Sequence, residues 1–286
     1  MAVAKARPFE SELVIEERIS TPALRAYHVG YDQNKFRLEP LVDLLESVIP
    51  EFALGLHVPS VPARKLISVT REAAKTVYTT SKYKRRGEFG ELVLHLLLRD
   101  FCGTIPLVSK IYFKDSDNVA AHGFDGVQVT ENGTDLKLWL GESKFYHTGE
   151  AGVTDLLGDL KKHLKSDYLR REFALISKKI PAQFPKRNHW VQLMHKHNKL
   201  DKIFKSVVIP MVCTYTSDTI KNHKKETQQY IDDFMLECNK LGQSFEGRRP
   251  KTICEVVLIL LPVHDKDKLA TQLHSRLMGL QGKAVK

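Results

Sequence analysis

Gly123-Phe124-Asp125-Gly126-Val127 and Trp139-Leu140-Gly141-Glu142-Ser143-Lys144-Phe145-Tyr146 are the two stretches that decide how this chain folds. Between them stands Glu131-Asn132-Gly133-Thr134. Asn-Gly between strand-like runs is a strong hairpin signal, because both residues tolerate φ > 0. The pattern predicts a strand over 124–130, carrying Asp125, and a partner strand over 135–146. Side chains two apart on a strand share a face, so Glu142 and Lys144 are neighbours. Their flanks, Leu138, Trp139, Leu140, Phe145 and Tyr146, are fit for burial. A carboxylate and an ammonium desolvated there are costly without partners, and each compensates the other only in part. A bound cation with water satisfies such a site better.

Working outward, Glu88 to Arg99 is apolar around most of a helical circumference and reads as a buried helix. Glu88, Glu91 and His95 fall in its one polar wedge. A strand over 106–113 precedes the hairpin, and an amphipathic helix over 153–173 follows it. Further on, a strand over 207–215, a helix over 222–241, a strand over 254–262 and a helix over 265–280 alternate. The apolar run Glu255-Val-Val-Leu-Ile-Leu-Leu suits a strand buried on both faces, hence an α/β fold with a central sheet covered on both sides. Helices are also expected over 38–52 and 66–83, with Pro59 and Pro62 marking a boundary between an N-terminal extension (1–62) and the main domain (63–286).

Two carboxylates with a lysine suit phosphodiester hydrolysis. Asp125 and Glu142 can hold Mg²⁺, a hard ion that prefers oxygen ligands, and the metal activates water and neutralises phosphate charge. Lys144 can position that water, help deprotonate it, or stabilise developing charge. A third carboxylate from the preceding helix completes the cluster. Glu91, one turn further into the helix, is preferred to Glu88 as that metal ligand.

Helix with Glu, strand, Asp, hairpin, E-x-K, helix is an order that resembles the PD-(D/E)xK nuclease superfamily over roughly residues 87–173. Phe124 stands where the superfamily's name has proline. The wording of Arg85-Arg86-Gly87-Glu88-Phe89-Gly90-Glu91-Leu92, with the two stretches above, resembles the nuclease subunit of the Hachiman anti-phage defence system, the HamA type. That resemblance implies a restriction-endonuclease-like core, a mixed sheet flanked by helices, with an N-terminal α/β extension. It implies Mg²⁺ as cofactor, with Mn²⁺ able to substitute, and Glu91, Asp125, Glu142 and Lys144 as the catalytic set. It also implies DNA as substrate and a superfamily-2 helicase subunit as partner. A stand-alone repair or restriction nuclease of the same fold, and a catalytically idle DNA-binding adaptor, are the alternatives.

Among the 286 residues, lysine and arginine exceed acids by 10, and the whole excess sits between Lys161 and Lys205, with 13 basic residues against three acidic. Such a stretch attracts phosphates. Lys161, Lys162, His163 and Lys165 follow the hairpin directly and are candidate phosphate contacts. His122 and the pair His195 and His197 are weaker candidates for phosphate and zinc. The longest strongly apolar run, Val256 to Val263, is far short of the ~20 residues of a membrane helix. The four cysteines form no C-x-x-C pair, and the basic N-terminus has no apolar run behind it, so a reduced, cytoplasmic protein is expected. No Walker A, G-x-G-x-x-G, H-E-x-x-H or G-x-S-x-G sequence occurs, so the chain carries no sign of its own motor.

Overall fold

The computed structural model describes residues 7–55, 61–78, 87–108, 123–133 and 135–283. Its centre is a seven-stranded mixed sheet. In chain order the strands are β1 (Glu16–Ser20), β2 (Leu24–His28), β5 (Ile105–Val108), β6 (Gly126–Asn132), β7 (Asp135–Tyr146), β8 (Val207–Thr216) and β9 (Glu255–Val263). Their spatial order is β1-β2-β9-β8-β7-β6-β5, and a separate small hairpin pairs β3 (Tyr31–Asp32) with β4 (Lys35–Phe36). Strands β7, β8 and β9 run parallel, as do β9 and β2, while β5, β6 and β7 form an antiparallel meander.

Helices cover both faces. On β8, Ile209, Met211, Cys213 and Tyr215 point into one apolar layer, while Val208 and Val212 point into the other. The first layer is closed by α4 (Gly149–His163), α5 (Ser166–Lys179) and α9 (Gln228–Arg248). The second is closed by α1 (Leu38–Leu54), α2 (Leu66–Val77), α3 (Glu88–Phe101) and α10 (Lys266–Leu280). Double coverage explains why β8 and β9 are apolar without alternation. The short helices α6 (Arg187–Leu193), α7 (Leu200–Phe204) and α8 (Asp218–Asn222) complete the chain.

The hairpin over β6 and β7 forms as the sequence predicts, with one difference. Asn132 pairs with Asp135 inside the ladder, so the turn begins at Gly133, whose φ is +61°. Gly126 and Gly141 face each other across this hairpin. A Cβ on either would meet Leu94 at 3.0 Å or less, so the two glycines let α3 lie close against the strands.

Two expectations are corrected. The helix over 153–173 is two helices, α4 and α5, because Lys165 is extended (φ −70°, ψ 131°). Ser166-Asp167 opens the second, and Asp167 suits a helix N-terminus electrostatically. The helix expected over 222–241 is instead α9, over 228–248, because the Thr227 side chain accepts from Tyr230 N and starts it there, while the separate α8, opened by Ser217, ends at Asn222. Within the N-terminal segment, β1 and β2 extend the main sheet: β2 adds in parallel to β9, with Leu24 opposite Leu258. The strand over 106–113 is described only to Val108, and the helix over 66–83 only to Val77 and its C-cap Tyr78.

Candidate active site

Glu142 and Lys144 lie on β7 opposite Met211 and Cys213 of β8, facing the layer closed by α4. Glu142 is buried (6% exposed). Its Oε1 accepts from Lys144 Nζ at 3.1 Å, and the same ammonium lies 2.5 Å from Asp159 Oδ2 on α4. Glu142 Oε2 is buried without a hydrogen-bond partner among the described residues, with His163 Nε2 3.8 Å away. Asp159 and His163 stand at i and i+4 on α4, so one helix face delivers both to the E-x-K pair.

Burial, and then the Asp125 charge, push the Glu142 carboxyl up to about 9 despite the neighbouring lysine. Burial works to lower the Lys144 pKa, but the hydrogen bond and charge of Asp159, joined by Glu142 once that carboxyl ionises, outweigh it and hold the ammonium above its ordinary value. Burial works to raise Asp159, and the hydrogen bond from Lys144 outweighs it, so its pKa falls below the usual value. At neutral pH the proton sits on Glu142, while Lys144 and Asp159 carry the ion pair. His163 is pushed down to about 4, chiefly by burial, and is neutral. Its ring packs against both Phe124 and Tyr168, with centroids 4.5 and 4.8 Å away.

Asp125 sits in the bend just before β6 rather than on the strand. There the Ser143 N–H (2.9 Å) and Oγ (2.8 Å) both donate to Asp125 Oδ2. Ser143 is the central residue of Glu142-Ser143-Lys144, so its backbone and hydroxyl fix Asp125 against the triplet. A Cβ at Gly90 of α3 would lie 3.1 Å from Ser143 Oγ, so α3 crosses directly over this junction. Gly90 and Leu94 mark the sheet-facing side of α3. At about 100° per residue, Glu91 lies about 80° from that direction and Glu88 about 140°. Both are half-buried. His95, third member of the polar wedge, is tied elsewhere, to Glu51 Oε1 (3.0 Å) and Gln128 Nε2 (3.4 Å).

The three candidate carboxylates are not gathered into a tight cluster. Among the described residues, the one trio of ligand-type atoms within 4.8 Å of one another is Glu16, His28 and Glu226. There the Arg18 guanidinium lies 2.8 and 2.9 Å from the two carboxylates, and its Nε donates to His28 Nε2 at 2.8 Å. A side-chain cation already occupies that trio, which makes it a poor metal centre.

Lys161, Lys162 and Lys165 are exposed at the C-terminal end of α4 and just beyond it, while His163 between them turns inward. The sequence expectation that His163 contacts phosphate beside these lysines is therefore corrected: it is 2% exposed and packs beside Glu142. Lys162 Nζ lies 5.6 Å from the Tyr168 ring. Glu172 of α5, buried, reaches within 3.0 Å of where a Gly123 Cβ would stand, and burial pushes its pKa up. His195 and His197 are exposed and belong to no ligand trio among the described residues. Arg85, Arg86 and His122 lie outside the described residues. Asp159 is the residue that sequence reasoning missed; the Asp-x-x-x-His spacing on the helix after E-x-K was the available sign.

No helix among the described residues is long and apolar enough to cross a membrane. No curated protein matches the chain. The family model of HamA, a protein of the Hachiman anti-phage defence system, matches residues 7–277. That match spans nearly the whole chain, β1 through most of α10 with the Asp125, Glu142 and Lys144 site inside it, and the chain belongs to the HamA family.

Proposed function

We propose that this chain is a metal-dependent DNA nuclease of the PD-(D/E)xK type, acting in the cytoplasm as the effector of Hachiman defence beside a superfamily-2 helicase subunit. The observation that carries the reading is Glu142. A buried carboxyl with one oxygen unpartnered, held next to Asp125 and an ammonium, is costly as a structural device. A salt bridge kept for stability needs no third carboxylate raising the proton affinity of its acid. The donor set, carboxylate oxygens with room for an extra contact at Oε2, fits a hard divalent cation. Asp125 and Glu142 would hold Mg²⁺ or Mn²⁺, with Glu91, turned less far from the sheet than Glu88, as the third ligand. Bound there, the cation would acidify a water and neutralise charge on the scissile phosphate.

The chain's own residues do the rest. Ser143 orients Asp125. Asp159 holds Lys144 in place and keeps it cationic, which assigns the lysine to charge stabilisation rather than to proton abstraction. Phe124, His163 and Tyr168 wall off the Glu142 side from water. The absence of a Walker A sequence leaves DNA unwinding to another subunit.

Plasmid incubated with the purified protein should be cut with Mg²⁺ and remain intact with EDTA. Retarded but uncut plasmid in both conditions, also with the helicase subunit present, would favour the idle adaptor instead. Within the site, Glu91→Gln is expected to slow cleavage more than Glu88→Gln; equal effects or the reverse order would show that α3 presents the other face. Reversing Lys161, Lys162 and Lys165 to Glu is expected to weaken DNA binding for all sequences alike and to flatten its salt dependence. Anisotropy with labelled DNA between about 50 and 200 mM salt reads both effects. Unchanged binding across that range would assign these lysines to a protein partner.

A further inference from the structure

Away from the E-x-K pair, a cavity of about 330 Å³ opens where β9 and β8 end, between the β3–β4 hairpin, α8 and the start of α10. That volume falls within the range of about 300–1,000 Å³ of small-ligand sites. Four lysines, Lys35, Lys221, Lys224 and Lys268, line it. Lys221 reaches Asp218 at 3.7 Å, but the other three ammonium groups have no carboxylate partner among the described residues. The one carboxylate in the lining, Asp265, is spent on capping α10, where it accepts from Asp267 N and Lys268 N. Burial and the charges of Lys268 and Lys221 lower the pKa of His264, which marks the cavity as electropositive.

The lining also carries aromatic rings. Tyr31 and Phe36 come from the hairpin, and Phe36 lies 6.1 Å from the His264 ring at an interplanar angle of 34°. The hairpin is sharply set: Gln33 and Asn34 both have positive φ (46° and 64°), and Asp32 pairs with Lys35. This turn projects Lys35 to the rim and sets Phe36 in the wall. Cations in a lining that also carries rings make a place for a phosphate attached to a flat base.

The start of α10, which supplies Lys268 to the lining, also reaches the end of β7. At the start of α10, Lys266 Nζ lies 5.5 Å from the Phe145 ring, and Asp267 lies 3.8 Å from His147, immediately beyond β7. Ligands of parallel sheets gather at the carboxyl ends of the strands, where this cavity lies.

We propose that this cavity binds a nucleotide unit, its phosphate held by Lys35, Lys224 and Lys268 and its base against Phe36 and His264. A free nucleotide and a DNA strand share that chemistry, and the test separates them. Calorimetry in EDTA, on protein that also carries Glu142→Gln, keeps the outcome independent of catalysis and of the nuclease reading. Titration with dAMP, deoxyadenosine and inorganic phosphate should show dAMP binding tightest. Lys35→Glu with Lys268→Glu should weaken dAMP by about tenfold or more, and Phe36→Ala should weaken dAMP but not inorganic phosphate. Circular dichroism of each variant must match the parent, and the single Lys268→Glu variant serves if the double variant is misfolded. Displacement of dAMP by a short single-stranded oligonucleotide identifies a DNA strand as the occupant; failure to displace it identifies a free nucleotide. Equal affinity for dAMP and deoxyadenosine, no measurable binding, or dAMP binding unchanged by the lysine reversals would overturn the proposal.

Discussion

Glu142→Gln is expected to abolish Mg²⁺-dependent cleavage, by about 10³-fold or more, while leaving the protein at least as stable as before. The size follows from removing a charged contact made in the transition state, where one electrostatic donor alone accounts for about 10²–10³-fold. The stability expectation follows from linkage. Glu142 holds its proton up to about 9 in the folded protein, against an ordinary value of 4.5. Between those values the unfolded chain binds fewer protons than the folded one, so the wild-type protein loses stability as pH rises through that window. Glutamine has no proton to lose. Thermal unfolding at pH 5 and pH 8 should therefore show the wild type falling relative to Glu142→Gln at the higher pH. The same proton must leave before a cation binds, so cleavage should rise with pH towards 9. A pH-independent difference in unfolding temperature would refute the assigned protonation, and undiminished cleavage would refute the catalytic role.

Lys144→Ala is expected to be inactive by a comparable factor, about 10²–10³-fold, and yet to keep its metal site, because an ammonium is not a ligand. Removing its charge also removes the one neighbour that favours ionised Glu142. Mn²⁺ binding in this variant should persist but require higher pH. Asp125→Ala should lose both cleavage and metal binding. Calorimetric titration of the two variants with Mn²⁺ distinguishes them; loss of binding in both to the same extent would show that Lys144 supports the site structurally instead.

The parts of this architecture that could be read in the sequence are those governed by local rules. The hairpin was visible because Asn132-Gly133 separates two runs of strand character, and β7 has the expected ends, Asp135 and Tyr146. The same period of two placed Glu142 and Lys144 side by side, as observed. Asp159 and His163 were not assigned this role because they reach the site only when α4 crosses the sheet, a tertiary event of which the Asp-x-x-x-His spacing is only a faint local sign. Strands β1 and β2 were missed because charged Glu16, Glu17 and Arg18 dilute the pattern, and because the partner of β2 lies more than 200 residues away on β9. The basic cavity was hidden for a related reason: its lysines come from residues 35, 221, 224 and 268, outside the one stretch where charge accumulates along the chain. Contacts between distant segments leave no periodicity to detect.

The central claim is that Asp125 and Glu142 hold the cation that the reaction uses. Anomalous X-ray scattering from crystals soaked in Mn²⁺ above pH 8 tests it most directly. The account predicts a peak between the Asp125 and Glu142 carboxylates on the α4 side of β7. A peak confined to Glu16, His28 and Glu226, or none beside Glu142 in crystals of protein that cleaves DNA, would contradict it.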